Sequence, residues 1–304
     1  MKGYKGFAPG MICRGKQYAE NTVFEEDKAE ICESGMHFCE NPFDVLDYYD
    51  LVNSDGSFND FAEVKALGEV KTDDDKKFCT TKLKLGAKLT FAGFVKACVD
   101  FVIEKTKTET DNGSSGYSAQ IGSSGDSAQI GSSGDSAKIG SSGDSAQIGS
   151  SGYSAKIGSS GYSAKIGSSG YSAQIGSSGD SAQIGSSGDY AKIGSSGDSA
   201  QIGSSGNSAK IGSSGYSAKI GSSGYSAQID STGNDSVICC AGHGSAVKAK
   251  VGSWITLAEW KRNDEKGRWV PVCVKTEFVD GERIKADTWY TLKDGEFVEV
   301  DVCD

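Results

Sequence analysis

A nine-residue unit, G-S-S-G-x-S-A-(Q/K)-I, recurs thirteen times without interruption over residues 113–229. Few folds can accept so short and strict a period. Ser-Ala-Gln-Ile alternates polar and apolar, so an extended segment puts Ala and Ile on one face and Ser and Gln or Lys on the other. Gly-Ser-Ser-Gly supplies the turn. One copy buries only an Ala and an Ile, which cannot offset the entropy of ordering nine residues. Stacked copies would share a thin, continuous core, the logic of a β-solenoid. A flexible Gly/Ser linker has similar composition, but it has no need of an Ile at every ninth residue. Two copies per coil would give 18 residues per coil and a rod about 30 Å long at ~4.8 Å per coil. Three copies would give a shorter triangular rod, and the repeat fits either. A fourteenth copy, "DSTGNDSVI" at 230–238, is degenerate, and Tyr190 is the one departure from the first Ser of S-A.

Two positions vary, and their order recurs every 54 residues, with Asn207 in place of a Tyr as the mismatch. Duplication of a six-copy block accounts for the recurrence. The segment Asp126–Gln147 is net negative and Tyr153–Lys165 is positive and aromatic, so the rod is expected to carry alternating charge bands. It holds six Lys and six Asp and is neutral; the chain's net charge of −10 resides in its flanks. A neutral rod imitates duplex DNA poorly, and an acidic chain does not favour direct nucleic-acid binding. Banded charge suits ordered contact with a protein. The expected binding surface comprises Tyr153, Lys156, Tyr162, Lys165, Tyr171, Tyr216, Lys219 and Tyr225.

The flanks have ordinary composition. Residues 1–112 read as an α/β head ending in a capping helix. Asn41 is placed to cap a helix near Pro42–Tyr49. "FAEVKALGEV" and "TTKLKLG" read as strands. "TFAGFVKACVDFVIEKTK" is a helix with Phe94, Cys98, Phe101 and Val102 on one face and Thr90 as its cap. Residues 113–238 form the solenoid. Residues 239–304 read as a β-rich cap, with Trp254, Trp260, Trp269 and Trp289 in a compact core or over the open end of the rod. The fold class is thus an α+β head, a central β-solenoid and a β-rich C-terminal cap. "MKGYKGFAPG" lacks the apolar stretch of a signal peptide and no run is long enough to span a membrane, so a cytoplasmic protein with reduced cysteines is expected.

Candidate chemistry in the flanks is sparse. Cys13, Cys32, His37 and Cys39 could be assembled around zinc, but C-x4-H-x-C is not a usual spacing, and no metal or cofactor is expected. A Cys39–His37 nucleophile pair lacks a third group. Calcium is not expected, because Ser127 and Ser136 stand where a calcium roll places Asp. Ice binding would need a more uniform array. In "ICCAGHG", Cys239 and Cys240 should point opposite ways, which argues against joint chelation with His243. "YKGF" followed by "SGMHFCENPFDVLDYY" loosely resembles ADP-ribosyltransferase patterns. That resemblance would place Tyr4 or Arg14, His37, Tyr48 or Tyr49, and Glu63 or Glu69 in the site.

"YKGF", "CRGKQY" and "GMHFCENPFDV", together with "SAQIGSSGD" repeats, resemble an uncharacterised protein family of bacteriophages and prophages. The resemblance implies a viral accessory protein in the host bacterial cytoplasm. It implies no active-site residues. The expected function is non-enzymatic binding of a host protein, such as a defence factor, through the solenoid surface. An enzyme in the head and a rod that self-associates into a homo-oligomer are the alternatives.

Overall fold

A computed structural model describes residues 1–31, 33–53, 57–106, 112–114 and 116–302. Repeats form a β-solenoid with two copies, 18 residues, per coil. Gln120 pairs with Lys138, Lys138 with Lys156, and Lys156 with Gln174, all in parallel register. The intervening copies form the opposite sheet, where Gln129 pairs with Gln147 and Gln147 with Lys165. Each copy therefore contributes one strand, and successive copies alternate between two sheets of ten strands.

Each strand is Q/K-I-G-S rather than the expected S-A-Q-I. The strand begins after the Ala and takes in half of the Gly-Ser-Ser-Gly segment. Ala and Ile face inward, as in Ala155 and Ile157, and so does the Ser after the Gly, as in Ser159. Gln or Lys and the strand Gly face outward. The core is consequently a double column of Ile flanked by Ala and Ser. The other Gly of each unit sits in the turn. A Cβ at Gly188 would lie 1.7 Å from the Gly170 carbonyl oxygen, so no side chain fits there.

Coil stacking continues past the last recognisable repeat. Val237–Cys240 pairs in parallel with Trp254–Leu257, and Gln228–Ser231 with Ala246–Ala249. The solenoid thus extends through Leu257, beyond the boundary expected at 238. Inward apolar residues are kept (Ile238, Cys240, Val247, Ile255, Leu257) while the repeat consensus disappears. The end is closed by two hairpins, Trp254–Asn263 with Arg268–Phe278 and Tyr290–Lys293 with Glu296–Glu299. Val279, Ile284, Tyr290 and Leu292 plug the core. The four tryptophans do not form it. Trp254 and Trp269 are 49% and 41% exposed, and Trp260 is half-buried with its indole N–H donating to the Ala241 carbonyl at 2.9 Å. Three aliphatic side chains and the Tyr290 ring fill the core opening, and the indoles are left around it.

The head is a seven-stranded antiparallel sheet, centred on Lys2–Phe7 and Asp60–Ala66, with two helices. Helix α1 (Pro42–Val45) is one turn long. Asn41 Oδ1 accepts from the Phe43 N–H at 2.9 Å and Pro42 occupies the first turn, as the sequence indicated. Helix α2 (Phe91–Thr106) is capped by Thr90, whose Oγ1 accepts from the Gly93 N–H. Phe94, Cys98 and Val102 pack in the head core, with Phe94 stacked on Phe61 at 3.7 Å. Val95 and Val99 are equally buried, against the rod. The helix does not cap the end of the rod: it lies along one sheet face, which makes it apolar on more than the expected side.

Candidate functional site

The head covers one of the two solenoid sheets and leaves the other open. On the covered sheet, α2 lies over the outward glycines. Cβ atoms at Gly140, Gly158, Gly176 and Gly194 would approach Val99, Val99, Val95 and Phe91 at 3.1, 3.3, 2.9 and 2.6 Å. The adjacent Gln/Lys column is read by α1 and the turn after it. Lys138 Nζ contacts Asp44 and Lys156 Nζ contacts Asp47, both at 2.5 Å, and Lys192 pairs with Asp50. Between them, Gln174 donates to the Leu46 carbonyl and accepts from the Leu51 N–H. Three carboxylates spaced three residues apart thus meet three lysines on successive or alternate coils. Lys156 is only 6% exposed. Its expected place on a partner-binding surface is corrected: it holds the head in register.

The open sheet presents Gln129, Gln147, Lys165, Gln183, Gln201 and Lys219 beside Gly131, Gly149, Gly167, Gly185, Gly203 and Gly221. Nothing lies within 4 Å of a Cβ at Gly131, Gly149, Gly185, Gly203 or Gly221. The glycine floor forms a trough of about 1300 Å³. Lys165 and Lys219 are exposed, three coils apart, and have no ion-pair partner among the described residues. Beyond Lys219 the same column turns apolar: Lys219 aligns with Val237, Val237 with Trp254, and Trp254 with Phe278. Those three are 53%, 49% and 36% exposed, and Trp254 and Phe278 are in ring contact.

The variable turn residues form columns along the two opposite rod edges. One edge holds Asp126, Asp144, Tyr162, Asp180, Asp198 and Tyr216, the other Tyr153, Tyr171, Asp189, Asn207 and Tyr225. The expected charge bands are therefore not rings. Four of the six lysines (Lys138, Lys156, Lys192, Lys210) belong to the covered sheet and two to the open one. Aspartates have a structural role. Asp144 Oδ1 accepts from the Tyr162 N–H at 2.8 Å and Asp198 Oδ1 from the Tyr216 N–H at 2.7 Å, one coil on. Of the eight residues singled out, Tyr162, Lys165, Tyr216 and Lys219 border or occupy the open sheet. Tyr153, Tyr171 and Tyr225 lie on the other edge. Tyr153 stacks on Tyr171, which meets Tyr190, beside a cleft of about 470 Å³ that Asp47, Asp50 and Lys210 also line. Sequence reading missed the outward glycines and the Val237–Trp254–Phe278 patch. The glycine column of one sheet and the Val237–Trp254 step become visible when residues are aligned at an interval of 17–18 rather than nine, and Phe278 joins through the antiparallel hairpin.

In the head, Tyr4, Arg14, His37, Tyr48 and Tyr49 do converge on a pocket of about 90 Å³ with Lys5, Cys13 and Lys77. Burial lowers the pKa of Lys5, whose Nζ donates to the His37 carbonyl at 2.9 Å. Burial, then Lys5, Arg14 and Lys77, lowers that of His37. No carboxylate lines this pocket among the described residues. Glu63 lies in a separate cleft with Lys65 and Lys84, and Glu69 is exposed before Val70. The acid that an ADP-ribosyltransferase reading needs is thus apart from His37. Burial pushes the Cys39 thiol up to about 12, which keeps it protonated and a poor nucleophile. Cys32 lies outside the described residues, and no metal-binding cluster occurs among those described. Cys239 is exposed and Cys240 buried, pointing opposite ways as expected.

No described helix is long and apolar enough to cross a membrane. No curated protein and no solved structure matches the chain. Residues 1–97, the head sheet with α1 and the first half of α2, match the family model described as Domain of unknown function (DUF7666).

Proposed function

We propose that the chain is a non-enzymatic binding protein that holds a protein partner on the open sheet of its solenoid. The observation that carries this reading is the asymmetry of the rod. The same repeat builds both sheets, yet the head occupies one and leaves the other with exposed Lys165, Lys219, Trp254 and Phe278. Exposed aromatic side chains flanking a continuous surface are the usual anchors of protein interfaces. The resemblance to phage and prophage proteins suggests a bacterial host factor as the target and the host cytoplasm as the setting.

Affinity capture with three proteins tests the reading: the full chain, a variant with Lys165→Gln, Lys219→Gln and Trp254→Ser, and a variant with Tyr153→Ser and Tyr171→Ser. A partner retained by the first and third but lost from the second supports the open sheet. Loss only from the third would move the site to the opposite edge. Equal retention by all three would place binding elsewhere.

A further inference from the structure

The covered sheet shows what kind of element this repeat can seat. Coils rise ~4.8 Å each and an α-helix rises ~5.4 Å per turn, so a helix laid along the rod offers about one turn to each coil. Helix α2 does this with Val99, Val95 and Phe91 over Gly158, Gly176 and Gly194. Carboxylates reach the neighbouring lysines from the side. The open sheet has the same glycine column and the same rise, beside a Gln/Lys column that holds two lysines where the covered sheet holds four. Its backbone N–H and C=O groups are committed to the parallel ladders, so an added strand would find nothing to pair with on the face.

We propose that the open sheet seats an acidic amphipathic α-helix of a partner protein. The helix would run along the rod with an apolar stripe over the glycines from Gly131 to Gly221 and carboxylates toward Lys165 and Lys219. This rests on the binding role assigned to that sheet and names the partner's chemistry. Five coil steps span about 24 Å, the length of a helix of about 16 residues. Charge complementarity favours this occupant. From Gln129 to Ser222 the open-sheet strands carry two lysines and no carboxylate, so a second copy laid face to face would bring no acid on its own strands to meet them. Nucleic acid would meet only those two cations beside an edge bearing Asp126, Asp144, Asp180 and Asp198. At the C-terminal end, Val237, Trp254 and Phe278 offer apolar anchorage to the helix terminus.

The probe is a fluorescent 18-residue synthetic peptide with Val or Phe at positions spaced four and three apart and Glu along one flank. Fluorescence anisotropy measures its binding to the full chain. Gly185→Leu should weaken binding at least tenfold while leaving the melting curve intact, because a Cβ there meets no neighbour. Lys165→Glu with Lys219→Glu should weaken it at least tenfold, and a Glu→Lys peptide should recover the loss. Absence of binding, equal binding of a scrambled peptide, or indifference to Gly185→Leu would overturn the inference. So would light scattering that shows a dimer abolished by Gly185→Leu. A photocrosslinker at Gln183 separates this failure from that of the wider reading. A crosslinked partner with no peptide binding removes the helix and keeps the surface. No crosslinked partner removes both.

Discussion

Single residues in this rod are constrained by the coil above and below more than by their sequence neighbours. The two glycines of each repeat show it. Gly188→Ala would drive a Cβ into the Gly170 carbonyl oxygen, whereas Gly203 faces open space. Gly188→Ala is therefore expected to abolish cooperative thermal unfolding by circular dichroism. Gly203→Ala should be neutral or raise stability by up to about 1 kcal/mol, through the lower entropy of the unfolded chain. Five aspartates follow the same rule: Asp126, Asp144, Asp180, Asp189 and Asp198 each accept from the backbone N–H one coil on. Tyr190 is the opposite case. A bulky side chain takes a left-handed φ of 57° where other repeats place Ser, and it is held against Tyr171 at 5.1 Å. In the head, buried Lys5 has a pKa below its unfolded value of 10.5. The native state resists that proton, so the penalty is full below the folded pKa and is relieved as pH rises from there toward 10.5. Lys5→Met should flatten this rise in a comparison of urea midpoints across that pH interval.

At the level of elements, docking of the head depends on a ladder of ion pairs beside an apolar helix seat. Asp44 and Lys138 are 5% and 9% exposed. Lys138→Met would leave a buried carboxylate without its cation, at a cost of about 3–5 kcal/mol. Hydrogen exchange should then show α2 and the strands at Lys138–Ser141 and Lys156–Ser159 losing protection, with the distal coils unaffected. Adding Asp44→Asn should recover part of the loss. Register is the second elemental constraint. Removing Ser196–Ser213, one full coil distal to the last head ion pair, should give a folded rod shorter by about 5 Å. Removing nine residues there would exchange the two sheets for everything downstream and present the C-terminal hairpins to the wrong strands. Small-angle scattering and thermal melts should separate a shortened rod from a misassembled one.

For the whole molecule, the end plug and the open sheet have opposite tasks. Val279, Ile284, Tyr290 and Leu292 cover a coil end that would otherwise offer unpaired strand edges and the Ile column. Truncation after Leu257 is expected to make the chain aggregate, as detected by light scattering against the full chain. The open sheet is left uncovered, and that selective exposure supports the binding reading. In the head, the pocket around His37 gathers cations and aromatic rings, and Glu63 lies in the separate cleft with Lys65 and Lys84.

The sequence alone determined that stacked copies make a β-solenoid, that Ile and Ala fill it, and that Asn41 and Thr90 start the two helices. These follow from local alternation, capping chemistry and a period that no isolated unit can satisfy. Tertiary structure decided the number of copies per coil and, with it, the meaning of the variable residues. Lys156 and Lys165 are nine residues apart in matching repeats, yet one is buried against Asp47 and the other is exposed on the open sheet. Nothing local distinguishes them. The difference comes from the parity of the copy and from the face on which the head lies, set by the Asp44–Asp47–Asp50 ladder and by the match of helical pitch to coil rise.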